Sequence, residues 1–180
     1  MSTFTPDYQR LLAQLRRHEG AVKDSEGNHI PYRCPANRLT IGYGHNLDAN
    51  PIPGIWPRTE GQAAIAAREA EQGRVPLPPR LNEDQAERLL RADVLSIQEK
   101  LAAHLPWIEA LNGPRYAVLV NMAFTMGVSG LLGFQKTLAF ARVGDFRNAA
   151  REMLRSKWAK KQAVKRALEL SVQMETGAWQ

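Results

Sequence analysis

Apolar residues recur along this 180-residue chain in two rhythms, and the change from one to the other divides it. Tyr8, Leu11, Leu12 and Leu15 lie three or four residues apart, which puts them on one face of a helix. Thr5-Pro6 supplies an N-cap and a first helical residue, and Gly20 a stop, so Glu19 is expected at the C-terminal edge of that helix. From Gly20 to about Arg58 the helical rhythm disappears. Gly27, Gly42, Gly44 and Gly54, with Pro31, Pro35, Pro51, Pro53 and Pro57, interrupt anything long. Between them Ile30 to Arg33 and Leu39 to Tyr43 are short β-favouring runs that suit a small hairpin-like sheet.

The helical rhythm then returns. Thr59 with Gln62 forms a capping-box pattern at the start of an alanine-rich helix to about Gln72, and Val75 to Arg80, with three prolines, reads as a loop. Asn82 with Gln85 is a second capping box. The helix it opens carries Ala86, Leu89, Leu90, Val94, Ile97 and Leu101 on one face, runs to about His104, and is long enough to join two lobes. Pro114 starts an apolar helix, Tyr116 to Phe124, and Gly127, Gly130 and Gly133 predict a glycine-punctuated turn. Shorter helices are expected near 134–142, 145–156 and 160–173, with Asp145 after Gly144 as an N-cap. The expected fold class is α+β, mainly α, within one domain spanning 1–180. It would comprise a β-lobe at about 20–80, a linking helix at about 83–104, and a helical lobe from 1–19 and 105–180.

Composition narrows the function. Hydrophobic residues make up 44% and charged residues 23%, enough apolar material for a core, so disorder is not the expected main state. No window approaches the ~20 uninterrupted apolar residues of a membrane helix, and stable membrane insertion is not expected. Met1 to Gly20 has no apolar signal core, and the start reads as that of a cytosolically made chain. Cys34 is the single cysteine, which excludes an intrachain disulfide and an all-cysteine metal site. The net charge of +6 implies an anionic partner: nucleic acid, an anionic surface, or an acidic wall polymer.

The densest chemistry is His18-Glu19 at a helix end, followed by a glycine-rich sheet holding Cys34 and the run Thr40-Ile41-Gly42-Tyr43-Gly44-His45-Asn46-Leu47. A carboxyl facing polar groups on a small sheet suits glycoside hydrolysis, where one group protonates the leaving oxygen and a second handles water. Gly42 and Gly44 would let a polymer approach the backbone closely. By itself the pattern is weak, because a helix-end glutamate is more often a solvated surface residue.

A resemblance changes that balance. Leu15-Arg16-Arg17-His18-Glu19-Gly20 and Leu39 to Leu47 resemble the signature of phage lysozymes of the T-even type, glycoside hydrolase family 24. The likeness continues in order through Asp84 to Val94, Leu119 to Gly127, Gly133-Phe134, Ser156-Lys157-Trp158, Arg166-Ala167 and Thr176 to Trp179. Gly20 to Ile30 and Asp48 to Arg80 are the least similar stretches. The resemblance implies a lysozyme-like two-lobed fold and an endolysin that cuts the β-1,4 bond between N-acetylmuramic acid and N-acetylglucosamine in peptidoglycan. It implies no cofactor and no metal, a glycan strand as partner, no nucleic acid, and a monomer. The chain would be made in the host cytoplasm and reach the periplasmic wall through a separate membrane-permeabilising protein.

Residue by residue, Glu19 matches the general acid and Thr40 the threonine that helps hold the attacking water. Cys34 stands where relatives carry aspartate or cysteine. Fourteen residues separate Glu19 from Cys34, more than is usual, so an insertion lies within Ala21 to Ile30, and Asp24 inside it is the alternative second group. As a general acid Glu19 has to hold a proton near neutral pH, which partial burial against the sheet would favour. An ordinary cysteine titrates near about 8.5, so Cys34 would orient water mainly as a thiol. Its plain alternative is a small buried hydrophobe.

His45 and Asn46 are candidate sugar contacts, although the family pairs the histidine with an aspartate matching Asp93, which favours a structural ion pair. Phe124 would flank the sugar groove or belong to the core. Arg166 matches an arginine across the cleft near the acid, and otherwise is one more cation on a basic helix. Trp158 and Trp179 read as packing residues of the helical lobe.

Two other classes compete. A zinc amidase needs regularly spaced ligands, but the four histidines stand at 18, 29, 45 and 104 without a His-Glu-x-x-His motif. A nucleic-acid-binding module is suggested by nine Lys+Arg against four Asp+Glu in 141–180, yet no recognition-module signature accompanies them.

Overall fold

The computed structural model describes residues 6–34, 37–52 and 80–180. The expected N-cap Thr5, the expected helix Thr59 to Gln72 and most of the loop before Arg80 lie outside the described residues. The described chain is mainly helical with one small antiparallel sheet, an α+β arrangement. It divides into two compact units, residues 15–93 and residues 1–14 with 94–180.

In the unit formed by 15–93, helix α1 (Pro6–Glu19) ends where Gly20 turns left-handed at φ +65°. There the Gly20 N–H still reaches the Arg16 carbonyl at 3.0 Å. Strands β1 (Tyr32–Arg33), β2 (Leu39–Ile41) and β3 (His45–Asn46) follow in spatial order β1-β2-β3. Tyr32 pairs with Thr40 and Arg33 with Leu39; Thr40 pairs with Asn46 and Ile41 with His45. The β1–β2 turn closes through Asn37, a non-glycine residue at φ +59°, whose N–H donates to the Cys34 carbonyl at 2.7 Å. Gly42 and Gly44, at φ +63° and +87°, make the β2–β3 turn. Leu39, Ile41, Leu47, Leu81 and Ala86 form this unit's core, with Tyr43, Ile52 and Leu89 packed against it.

The insertion after Gly20 folds as a second small hairpin. Lys23 bridges His29, which in turn bridges Leu81, and the Ile30 N–H donates to the Val22 carbonyl at 3.1 Å. Asn82 opens helix α2 (Glu83–His104) as the capping pattern predicts. Its Oδ1 accepts from the Gln85 N–H at 2.9 Å while the Gln85 Oε1 accepts from the Asn82 N–H at 2.9 Å.

In the unit formed by 1–14 and 94–180, a 3₁₀ turn at Pro106–Ala110 precedes helix α3 (Gly113–Leu132). Asn112 caps α3 by accepting from the Arg115 N–H at 3.2 Å. Helices α4 (Gln135–Arg142), α5 (Phe146–Arg155) and α6 (Val164–Thr176) follow, with a π turn at Trp158–Gln162 before the last. Asp145 caps α5 through the Asn148 N–H at 3.2 Å, and Gly177 at φ +70° ends α6. The expected glycine turn is narrower than its spacing suggests. Only Gly127, at φ +79° and ψ +161°, leaves the helical region, and the helix resumes to Leu132.

α3 is long and apolar enough to cross a membrane, with a mean hydropathy of 1.3. Tyr116 to Ala123 are all buried in this unit, and α3 serves there as its core helix. Trp158 is buried edge-on against Phe134, and the Trp179 indole donates to Asp7 at 3.0 Å, both packing roles. Among the apolar side chains lies a row of amides. The Gln14 Nε2 donates to the Gln173 Oε1 at 2.7 Å and to Glu169 at 3.1 Å, and the Gln173 Nε2 donates to the Pro114 carbonyl at 2.9 Å. Asn121 donates to the Gln14 Oε1 at 3.5 Å, and all three amide residues are at most 2% exposed.

Candidate active site

Glu19, Cys34, Thr40, His45 and Asn46 all belong to the unit formed by 15–93. Glu19 is the last residue of α1 and is half-buried. Thr40 sits between Leu39 and Ile41, which face the core, so strand alternation sends its side chain to the opposite face. Its cross-strand partner Tyr32 shares that face. The Cys34 N–H donates to the Arg38 carbonyl at 3.0 Å, which extends the ladder one pair past β1 and keeps Cys34 in phase with Tyr32. Tyr32, Cys34 and Thr40 therefore line one side of the hairpin.

The electrostatics tie Glu19 to this face. The Tyr32 phenol is pushed above its usual range, first by burial, then by the negative charge of Glu19, then by that of Cys34. The Thr40 hydroxyl donates to the Arg38 carbonyl at 3.1 Å. With its hydrogen occupied there, Thr40 Oγ1 presents lone pairs, the arrangement that accepts a hydrogen from a water and turns that water's own lone pair elsewhere.

Asp24 has a different environment. Its Oδ1 accepts from the Glu26 N–H at 3.0 Å and the Asn28 N–H at 2.9 Å, and its Oδ2 lies 3.1 Å from Arg80 Nη1. Burial works against its charge, but the backbone donors of Asn28 and Glu26, then Arg80, hold the carboxyl below the ordinary aspartate range. These bonds close the insertion hairpin.

His45 is buried, with Nδ1 2.8 Å and 3.0 Å from the two Asp93 carboxylate oxygens and Nε2 2.7 Å from the Asn50 carbonyl. Burial opposes its charge, yet the Asp93 hydrogen bond and charge, with the Asn50 carbonyl, raise it above the ordinary histidine value. Both ring nitrogens are thus engaged within the protein. The Asn46 Oδ1 accepts from the Asp48 and Ala49 N–H groups at 3.0 Å and 3.2 Å, shaping the turn after β3.

A cluster not foreseen from the sequence surrounds Glu83, which accepts from Lys23 Nζ at 2.8 Å, from His29 Nε2 at 3.1 Å and from the Tyr43 hydroxyl. Lys23 first, then Tyr43, pull its carboxyl down to about 2, with burial opposing and His29 adding to the shift. Tyr43 is pushed up to about 12 by burial and by Glu83, and its ring meets His29 edge-on at 5.0 Å. The signal for this cluster is the position of Lys23 and His29, opposite one another in the insertion hairpin.

Phe124 and Arg166 belong to the other unit. Phe124 is half-buried on α3, and Arg166 on α6 donates to the Thr125 hydroxyl, which itself donates to the Asn121 carbonyl at 3.0 Å. Among the described residues, no group of three histidine, cysteine, aspartate or glutamate side chains stands close enough to hold a metal ion.

Comparison with known proteins gives this geometry its context. The pre-baseplate central spike protein Gp5 of Enterobacteria phage T4 is 28% identical over 155 residues, covering 82% of this chain and 24% of that protein. The chain thus spans about a quarter of the length of that relative. The profile of the phage lysozyme family matches residues 23–171, a stretch that holds Cys34, Thr40, His45, Phe124 and Arg166 and begins just after Glu19. With most of its length matched by that profile, the chain belongs to the phage lysozyme family.

Proposed function

We propose that this chain is a muramidase endolysin of the T-even type, glycoside hydrolase family 24. It would hydrolyse the β-1,4 bond between N-acetylmuramic acid and N-acetylglucosamine in peptidoglycan. Glu19 is the general acid: its proton goes to the glycosidic oxygen as the bond from that oxygen to the anomeric carbon breaks. Cys34 and Thr40 hold the water whose oxygen bonds to the anomeric carbon. The proton that this water sheds passes to solvent, and the Glu19 carboxylate regains a proton from solvent, which restores the acid. The observation that carries this reading is the hairpin face shared by Cys34 and Thr40, with Tyr32 opposite Thr40 and the Glu19 charge bearing on Tyr32. Asp24 is read as a structural carboxylate, because both its oxygens face partners within the insertion hairpin and Arg80.

Asn46, Phe124 and Arg166 are proposed sugar contacts. His45 is assigned instead to the Asp93 ion pair, since neither ring nitrogen is left for a ligand. The chain acts as a monomer, and its surplus positive charge suits an anionic wall. It would be made in the host cytoplasm and reach the periplasm through a separate membrane-permeabilising protein.

The test is Glu19→Gln, assayed by turbidity clearing of outer-membrane-stripped Gram-negative cells with reducing-end analysis of the products. The variant is expected to keep its fold and lose nearly all hydrolysis. Near-normal clearing by a folded Glu19→Gln would remove Glu19 as the acid, and products without new N-acetylmuramic acid reducing ends would remove the bond assignment.

A further inference from the structure

Six large apolar side chains are exposed among the described residues, and three of them stand on α6: Val164, Leu168 and Val172, at 50%, 53% and 45%. Single exposed apolar residues are ordinary, but these three recur every four residues and form one stripe about two turns long. α6 packs through Ala167, Leu170, Ser171 and Met174, which leaves the stripe outside the contacts that hold the helix. The chain leading into the stripe is basic. Lys157, Lys160, Lys161 and Lys165 are all exposed, and residues 157–166 contain no acidic residue. Among the described residues none of these four lysines is in an ion pair. Lys165 stands three residues before Leu168, beside the stripe. The acidic residues farther along α6 are committed elsewhere: Glu169 accepts from Gln14 at 3.1 Å, and Glu175 faces Arg147 at 3.8 Å.

We propose that this face of α6, with the lysines leading into it, docks reversibly on an anionic lipid bilayer. The inference goes beyond the muramidase reading and does not depend on it. Charge complementarity selects the occupant. Apolar side chains with lysines beside them match the boundary between acyl chains and negatively charged headgroups. There the lysine stems lie along apolar material and their ammonium groups meet phosphate. A second copy of the chain would bring the same lysines against these ones. Three half-exposed side chains also fall far short of the roughly 800 Å² per partner in a stable protein interface. A soluble or wall polyanion would answer the lysines but give Val164, Leu168 and Val172 nothing to bury them. With three apolar contacts the docking is peripheral, and α6 keeps its place in its own unit.

The test is co-sedimentation with vesicles of equal parts phosphatidylglycerol and phosphatidylcholine, set against vesicles of phosphatidylcholine alone. At low salt the unsubstituted protein should pellet with the anionic vesicles and not with the neutral ones, and added salt should release it. Lys160→Gln, Lys161→Gln and Lys165→Gln together should weaken binding on the order of 100-fold, about fivefold for each lysine. Val164→Ser, Leu168→Ser and Val172→Ser together should weaken it at least about tenfold. Both variants should still hydrolyse soluble peptidoglycan fragments, since none of the six residues belongs to the proposed hydrolytic site. A further measurement needs no substitution. Lipids spin-labelled near the top of the acyl chain should broaden the NMR methyl signals of Val164, Leu168 and Val172 before those of the buried Leu119. Failure to pellet with the anionic vesicles at low salt would overturn the proposal, as would equal pelleting with the neutral ones. Full binding by the serine variant, or methyl signals of the stripe no broader than those of Leu119, would overturn it too. The lysines would then hold a polyanion with the apolar stripe uninvolved.

Discussion

His45 is a group whose charge the fold itself selects, and Asp93→Asn tests this directly. Nδ1 faces a carboxylate and Nε2 a carbonyl, both acceptors, so only the imidazolium has a hydrogen for each. Its raised folded-state value means that the stabilisation is complete below the unfolded value of about 6.5 and is lost as pH rises through the folded one. The amide replacement keeps the shape and removes the charge. A hydrogen bond to a charged group contributes about 1.5–3 kcal/mol. The His45 side chain is 7% exposed and that of Asp93 23%, so some solvent screening remains and the lower half of the range, about 1.5–2 kcal/mol, applies. Urea unfolding at pH 5.5 should therefore show a midpoint lower by roughly 1 M for the variant, with an unchanged slope near 2 kcal/mol/M. By pH 9 the two midpoints should approach one another as the unsubstituted protein loses its imidazolium. A gap of equal size at both pH values would refute the reasoning, as would an NMR titration placing His45 at or below an ordinary histidine.

Variants at Glu83, Cys34 and Asp24 test the same unit. Glu83→Gln should lower stability at neutral pH by about 1 kcal/mol, the small figure reflecting a carboxylate whose side chain is 51% exposed and screened. Because the Glu83 carboxyl lies at about 2, its contribution is present above about 4.5 and lost as pH falls through 2. Thermal melts of the two proteins should converge there, and a gap that persists at pH 2 would count against the cluster. For the proposed water-holding position, Cys34→Ala is expected to lower hydrolysis on the order of 100-fold with little change in melting temperature, and Cys34→Asp to retain much of the activity. Asp24→Asn should loosen the insertion hairpin and spare the rate; loss of hydrolysis in Asp24→Asn with full activity in Cys34→Ala would reverse the assignment.

Local signals survived folding where the backbone alone enforces them. Gly20 stops α1 because a left-handed residue follows Glu19, and the Asn82–Gln85 box forms because each side chain satisfies the other's N–H at a helix end. Signals that depend on tertiary packing are fainter in the sequence. The three glycines at 127, 130 and 133 look alike in sequence, yet only Gly127 breaks the helix. At Gly130 a Cβ would fall 2.8 Å from the Met126 side chain, so that glycine answers to close packing. Strand β3 is two residues long, too short for any alternation to announce it. The site shows the same division. The His45–Asp93 pair was legible through a resemblance, whereas the place of Tyr32 depends on a register that pairs it with Thr40. The structural duty of Asp24 depends on backbone donors of a turn that the sequence left undefined.

The amide row of Gln14, Asn121 and Gln173 limits the paths along which such a sequence can change. Each member meets another's hydrogen-bonding need out of reach of water, so exchanging one for leucine strands a buried donor or acceptor on its neighbour at about 1–3 kcal/mol. Replacing the whole set with apolar residues of matching shape can be nearly neutral. Two acceptable solutions are therefore separated by less stable intermediates. Drift at any one position meets a barrier that concerted change avoids, which makes positions 14, 121 and 173 behave in descent as a single unit.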